Sequence, residues 1–265
     1  MWYSYNDTLS LSIEKLVQNT ENLLNITKRS ALSTASKIFD PLGFAAPFIV
    51  QAKIMIQALW KLKIGWDNIL PKDENAKWLK WMSDITNLKS LVIPRPYFSN
   101  NMTETQLHIF CDSSKLAYGS VAFLRGRSDN MIKTTFVLAK SKVAPVKMQT
   151  LPRLELSAAL LGANISQYLK NIPEFLNNNC KITLWSDSQI VLSWLSSKKK
   201  LQPYIQNRIN KINELTSSHK WKFCPTSGNP ADLLTRGLTT KQFNDNKQFW
   251  FHGPYWLAKP EQGWP

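Results

Sequence analysis

The chain has 265 residues, enough for one large domain or two smaller ones with cores of their own. A 43% hydrophobic fraction with eleven Trp excludes global disorder, and a formal charge of +15 points to a polyanionic partner, most simply a nucleic acid. No apolar run approaches the roughly 20 residues that cross a bilayer, so no membrane partner is expected. The charge is uneven: residues 1–100 carry twelve Lys and Arg against eight acids, and residues 101–265 carry twenty-one against ten. Cys111, Cys180 and Cys224 are odd in number and lack CxxC spacing, which suits reduced thiols in an intracellular protein.

In chain order, MWYSYNDTLSLS predicts a strand pair around the turn-forming Asn6-Asp7 and lacks the order of a signal peptide. Residues 30–64 carry helical patterning, SALSTASKIFD and then APFIVQAKIMIQALWKLKIGW, with a stop at Asp40-Pro41-Leu42-Gly43 where Asp40 reads as a turn cap. In the second helix Ile49, Lys53, Ile56 and Trp60 fall at three- or four-residue steps and predict its buried face. ENAKWLKWMSDITNLKSL is a further amphipathic segment, and IPRPYFSNNMTE reads as a linker. A domain boundary is placed there, dividing the chain into residues 1–95, 96–240 and a C-terminal extension at 241–265.

Beyond the linker the pattern turns to strands. QLHIFCDSS, YGSVAFLRG and TTFVLAKSK, the last two joined by a turn at GRSDN, predict an antiparallel meander. A helix follows from Pro152 to Lys170 with Leu154, Ala158, Leu161 and Ile165 on one side. CKITLWSDS predicts a fourth strand, QIVLSWLSS and PYIQNRINKINELTS two helices, HKWKFCP a fifth strand, and NPADLLTRG a last helical turn closing at Gly237. The fold class expected is α/β, a mixed five-stranded sheet with flanking helices.

Four of the ten acids in the second part occupy special places. Asp112 and Asp187 end predicted strands, while Glu155 and Asp232 lie on predicted helices. Carboxylates that meet repel one another, an arrangement tolerable mainly when a divalent metal neutralises them. Phosphodiester hydrolysis needs an activated water and relief of charge on the leaving oxygen, and two carboxylate-held metal ions supply both. Spacing alone leaves a set of caps and turn residues as an alternative.

The residues around these acids sharpen the choice. LHIFCDSSKLAYGSVAFLR, LPRLELSAALLGANI, LWSDSQIVLSWL and NPADLLTRG resemble the ribonuclease H segment of BEL/Pao-type LTR retrotransposon polyproteins. The resemblance continues in KRSALSTASKIFDPLGFAAPFIVQAKIMIQALW upstream and FWFHGPYWL downstream. It implies a ribonuclease H-like sheet preceded by a mainly helical reverse-transcriptase tail of thumb or connection type in residues 1–95. It also implies an extension that leads towards an integrase region absent from this chain. Asp112, Glu155, Asp187 and Asp232 then become the catalytic, metal-binding quartet. The implied cofactor is Mg²⁺, two ions, with Mn²⁺ as a possible substitute; the implied substrate is an RNA–DNA hybrid. The compartment implied is a cytoplasmic virus-like particle or the nucleus.

The alternative from another class is a catalytically weak or inactive nucleic-acid-binding remnant of such an element. No YxDD motif supplies a polymerase centre, and no DSG or DTG supplies the aspartic peptidase that a Pao label suggests. The CPTSGNPAD loop lacks the His that many ribonucleases H place ahead of the last Asp, and His219 reads as a surface residue. Candidate nucleic-acid contacts are Ser113 and Ser114 beside Asp112, and Ser188 and Gln189 beside Asp187, although each is equally compatible with capping. Arg153 and Arg236 can offset the acids or meet phosphate. Lys198, Lys199 and Lys200 with Arg208 and Lys211 form a basic track or a plain solvated face. Trp185 and Trp194 are expected in the core rather than stacked on bases.

Overall fold

Long runs of β-branched and aromatic residues in the middle of the chain build its sheet. The computed structural model describes residues 2–11, 25–97, 102, 104–128, 131–172 and 180–265. Asp129 and Asn130 of the expected turn, and residues 98–101 and 103 of the expected linker, lie outside the described residues. The main sheet is formed by β4 (Glu104–Ser113), β5 (Ala117–Ser128), β6 (Met131–Val143), β7 (Lys181–Ser186) and β8 (Lys220–Phe223), in the order β6-β5-β4-β7-β8; the first three of these labels follow a short sheet made by β1 (Trp2–Tyr3), β2 (Thr8–Ser10) and β3 (Val92–Pro94). β4, β5 and β6 are antiparallel neighbours, whereas β4–β7 and β7–β8 are parallel, so the sheet is mixed as expected.

Alternation along β4 sends side chains to two different cores. Leu107, Ile109 and Cys111 meet Ala158, Leu161, Ile165 and Leu169 of α4 (Leu151–Lys170), the helix whose apolar side the sequence marks. Gly162 of that helix is where it comes closest to the sheet: a Cβ there would lie 2.3 Å from Cys111 Sγ. Phe110 turns to the opposite core, stacked on Trp185 at 5.8 Å between centroids. That core also contains the helices α1 (Lys28–Ser36), α2 (Ala46–Lys61) and α3 (Lys72–Ile85).

Two expectations are corrected. The buried face of α2 is Phe48, Ala52, Ile56 and Leu59, whereas Lys53 and Trp60 are exposed and Ile49 is half-buried. The small Ala52 suits close packing; Lys53 reaches the carbonyl of Ser141 (3.3 Å), and Trp60 turns outward to cover the ammonium of Lys28 at 4.1 Å. The expected linker begins inside the small sheet, because Val92–Pro94 pairs with Thr8–Ser10 and Arg95 binds both carboxylate oxygens of Asp7. The strand pair around Asn6-Asp7 and the Asp40 cap are present: Asp40 accepts from the amides of Gly43, Phe44 and Ala45.

Among the described residues the remaining α-helices are α5 (Gln189–Ser196), α6 (Pro203–Leu215), α7 (Leu233–Arg236), α8 (Thr240–Asp245) and α9 (Lys247–His252). The C-terminal extension is core rather than appendage. Trp250 is fully buried and donates to Phe44 O at 2.7 Å, Trp256 lies 4.9 Å from Trp185, and buried Arg125 donates to Leu257 O and Lys259 O. Among the described residues no helix is long and apolar enough to cross a membrane. Replacing Trp250 with Ala is expected to lower unfolding stability by about 3–5 kcal/mol in denaturant titration. An unchanged midpoint would show that the extension does not belong to the cooperative core.

Candidate active site

Parallel pairing of β4 with β7 decides where the acids meet. The register sets Cys111 opposite Ser186, so the next residues, Asp112 and Asp187, leave adjacent strands at the same level. From β4 the chain runs to β5 on one side, while β7 leads to β8 on the other. The carboxyl ends of β4 and β7 therefore flank the point where connections diverge, a recurrent place for ligands in α/β sheets. Glu155 joins from the first turns of α4, and Asp232 from a short 3₁₀ turn, Pro230–Asp232, that opens into α7.

The loop carrying Asp232 is tied to the strand ends. Asn229 donates to Cys111 O (3.1 Å) and accepts from Ala231 N (3.1 Å), closing the turn. Thr226 donates to Asp187 Oδ2 at 3.0 Å, and Ser188 donates to Glu155 Oε2 at 2.5 Å while capping α5 at Val191 N. Gly237 closes α7 at φ +80°, with no room for a Cβ beside Gln51.

The electrostatics follow from this crowding. Burial, then the charges of Asp187 and Asp232, push the Asp112 carboxyl up to about 8. Burial raises Asp187 against the bond from Thr226, and burial raises Glu155 against the bond from Ser188, with Asp187 adding to the rise. The four predicted acids are thus brought to one end of the sheet, each acting electrostatically on at least one other or acted on by it.

The donor set fits a hard divalent cation. It consists of carboxylate oxygens, and the nearby thiols Cys111 and Cys224 are pushed up to about 12 by burial, so they stay protonated. His108 is buried with both ring nitrogens engaged, by Trp185 and Gln106. Among the described residues no three His, Cys, Asp or Glu side chains are closed into a group that could hold an ion.

The predicted nucleic-acid residues separate into two groups. Ser114 donates to Thr235 O and accepts from Leu116 N and Ala117 N, so its hydroxyl shapes the β4–β5 turn. Ser188 is a cap that also grips Glu155. Ser113 Oγ is buried beside Asp112 with no hydrogen-bond partner among the described residues. Lys211 pairs with Glu214 at 2.8 Å on the exposed side of α6. Gln189 and Lys198, Lys199 and Lys200 are exposed, and Arg236 lies 3.8 Å from Asp232 Oδ1. Arg153 and Arg208 both stand over Tyr204, at 4.9 and 3.5 Å from its ring centroid. Trp185 is fully buried and Trp194 packs against the α4–α6 cluster. His219 is half-buried in the turn before β8. Sequence reading overlooked Thr226, Asn229 and Tyr204, whose roles arise from contacts between segments distant in sequence.

Comparison with known proteins gives a family. The model of the Pao retrotransposon-like RNaseH-like domain matches residues 27–188, more than half of the chain, a span that includes Asp112, Glu155 and Asp187 and stops before Asp232. No curated protein sequence matches. The N-terminal RNase H domain of Rv2228c from Mycobacterium tuberculosis is similar at 16% identity and a TM-score of 0.37, over 53% of this chain and 99% of that one. LC11-RNase H1, solved in complex with an RNA/DNA hybrid, is similar at 13% identity and 0.37 over 53% and 99%. The foamy viral protease-reverse transcriptase in complex with double-stranded DNA is similar at 13% identity and 0.47, over 80% of this chain and 35% of that one.

The raised Asp112 has a direct consequence for stability. Its folded pKa of about 8 exceeds the unfolded value of about 3.9, so the folded chain holds the extra proton between those limits. Stability contributed by the protonated acid is therefore lost as pH rises through that interval. In metal-free buffer the melting temperature should fall from about pH 5 to about pH 8. Asp112→Asn should shrink the decline, leaving the part that Glu155 and Asp187 contribute, and raise the value at about pH 8 by at least about 2–4 °C, the equivalent of about 1 kcal/mol in a chain of this size. A flat wild-type profile would contradict the crowding.

Proposed function

The chain belongs to the Pao retrotransposon-like RNaseH-like domain family, and from that footing we propose that it is a divalent-metal-dependent endonuclease hydrolysing the RNA strand of RNA–DNA hybrids. The observation that carries the reading is the coupling of Asp112 to Asp187 and Asp232 at the carboxyl ends of β4 and β7, in a chain of formal charge +15. Buried like charges cost stability unless a ligand repays them, and a cation together with a polyanion does so.

In this reading Asp112, Glu155, Asp187 and Asp232 hold Mg²⁺, two ions, with Mn²⁺ as a substitute. When bound, the metal neutralises charge on the scissile phosphate and lowers the pKa of water. The chain's own groups arrange the rest. Ser188 and Thr226 fix the carboxylates of Glu155 and Asp187 by hydrogen bonds at 2.5 and 3.0 Å. Exposed Gln189, at the start of α5, offers both donor and acceptor to a 2′-OH. Lys198, Lys199 and Lys200 supply counter-charge along the backbone, and Arg236 balances Asp232 or meets phosphate. Residues 1–95 are in this reading a reverse-transcriptase-derived tail, and the parent is a retrotransposon polyprotein.

The loop from Cys224 to Asp232 carries no His. That favours a second reading, a nucleic-acid-binding module without turnover. A labelled RNA–DNA hybrid incubated with the chain and Mg²⁺ separates the two. Cleavage confined to the RNA strand supports the nuclease; a hybrid bound but uncut with both Mg²⁺ and Mn²⁺ selects the binding module.

Asp112→Asn should reduce cleavage to background while hybrid binding persists or improves, because the amide cannot become a negative charge facing phosphate. Near-normal cleavage by that variant would remove Asp112 from the reaction. Hybrid binding should also weaken steeply with salt, and replacing Lys198–Lys200 with Ala should reduce the log–log slope by about one for each lysine that meets a phosphate. An unchanged slope would leave those lysines as a solvated face.

A further inference from the structure

The main sheet has two edges, and the molecule treats them differently. Along β6 the chain itself takes up outward backbone groups. Ala139 N donates to Leu42 O at 2.9 Å, Lys53 Nζ to Ser141 O at 3.3 Å, and His252 Nδ1 to Thr134 O at 2.9 Å. β8 closes the sheet on the other side. Its register with β7 and the bond from Cys224 N to Ser186 O turn the backbone groups of Lys220 and Lys222 towards β7. Trp221 and Phe223 therefore aim their N–H and C=O groups outward, and among the described residues these groups make no hydrogen bond. An open row of donors and acceptors is a template for one more strand.

The two faces of that edge differ in chemistry. Towards α5 and α6, Trp221 shares with Leu192, Leu195 and Thr216 a cleft of about 640 Å³, and Phe223 on the same face is 40% exposed. Trp221 is pinned there by donating Nε1 to Thr216 Oγ1 at 3.1 Å. Towards the C-terminal extension, Lys222 stands over Trp185 and Trp264, at 5.4 and 5.1 Å from ring centroids, and Lys220 is exposed. Neither lysine has a carboxylate within salt-bridge distance among the described residues. A strand laid along β8 presents its side chains alternately to these two faces, so the partner that fits alternates acidic and apolar residues. A second copy of β8 would instead set lysine against lysine.

We propose that the free edge of β8 docks an extended segment of another protein in which acidic residues alternate with apolar ones. Backbone pairing with Trp221 and Phe223 supplies affinity, Lys220 and Lys222 take the acids, and the cleft at Leu192, Leu195 and Trp221 takes an apolar side chain. The docking does not depend on the carboxylate site and stands whether or not the chain cuts a hybrid.

The test uses the full wild-type chain and a short capped peptide alternating Glu with Val. With the peptide at about ten times its dissociation constant, amide hydrogen exchange at Trp221 and Phe223 should slow about tenfold while β6 is unaffected. N-methylation of one alternate set of peptide amides should weaken binding at least about tenfold, and the other set should tolerate it. A peptide of the same composition with its Glu residues in one block should also bind at least about tenfold more weakly. Lys220→Glu combined with Lys222→Glu should cost about tenfold in affinity, and a peptide carrying Lys in place of Glu should restore binding to that variant.

No binding of the alternating peptide, or binding that leaves exchange at Trp221 and Phe223 unchanged, would overturn the proposal. Equal weakening by both methylated sets, or equal binding of the block peptide, would overturn it by reducing the contact to charge attraction. Slowing of the same amides by a single-stranded oligonucleotide would assign the edge to nucleic acid. Slowing that grows with the concentration of the chain alone would assign it to a second copy, and either result overturns the proposal.

Discussion

Burial of carboxylates side by side at the ends of two parallel strands is the constraint around which this molecule is arranged. Parallel pairing cannot stagger Asp112 and Asp187 apart, because a register shift by one residue would invert every side chain of β7 between the two cores. Trp185 would leave its stack on Phe110, and Leu184 its place under α4. The charges therefore meet because the hydrophobic pattern demands it. Surrounding groups respond locally: Thr226 and Ser188 donate to two of the acids, and Asn229 ties the loop bearing the last acid to Cys111.

The scaffold that sustains this burial reaches far from the site. Helices from the first third of the chain and the last twenty residues share one core with the sheet face behind Asp112. Gly228, in the loop that holds both Thr226 and Asn229, rests against Trp256, where a Cβ would come to 3.0 Å of the indole nitrogen. Trp256 in turn packs on Trp185 and Phe110. The positions of Asp187 and Asp232 thus depend on an element outside the span matched by the family model.

Much of this was legible in the residues themselves. Alternation in QLHIFCDSS and the three- and four-residue steps from Leu154 to Ile165 are local signals, and β4 and α4 follow them. Asp112 and Asp187 were identifiable because each ends a run of apolar strand residues in a chain poor in acids. What was not legible came from contacts distant in sequence. The buried face of α2 is shifted because the sheet and α3 both press on it, and periodicity alone does not rank Phe48 above Trp60. Ser114 and Ser188 have the composition of phosphate contacts, yet turn and cap geometry claims their hydroxyls. Nothing around Tyr204 announces that two arginines, one fifty-one residues before it and one four residues after it, converge on its ring.

The central claim is that the carboxylates at the switch point are held in a tension which a divalent cation relieves. Calorimetric titration of Mg²⁺ into the chain at about neutral pH, repeated in buffers of different ionisation enthalpy, tests it most directly. With Asp112 lying near about 8, metal binding should release about one proton per chain, and Asp112→Asn should abolish the release. Mg²⁺ binding without proton release, or no Mg²⁺ binding at all, would contradict the account.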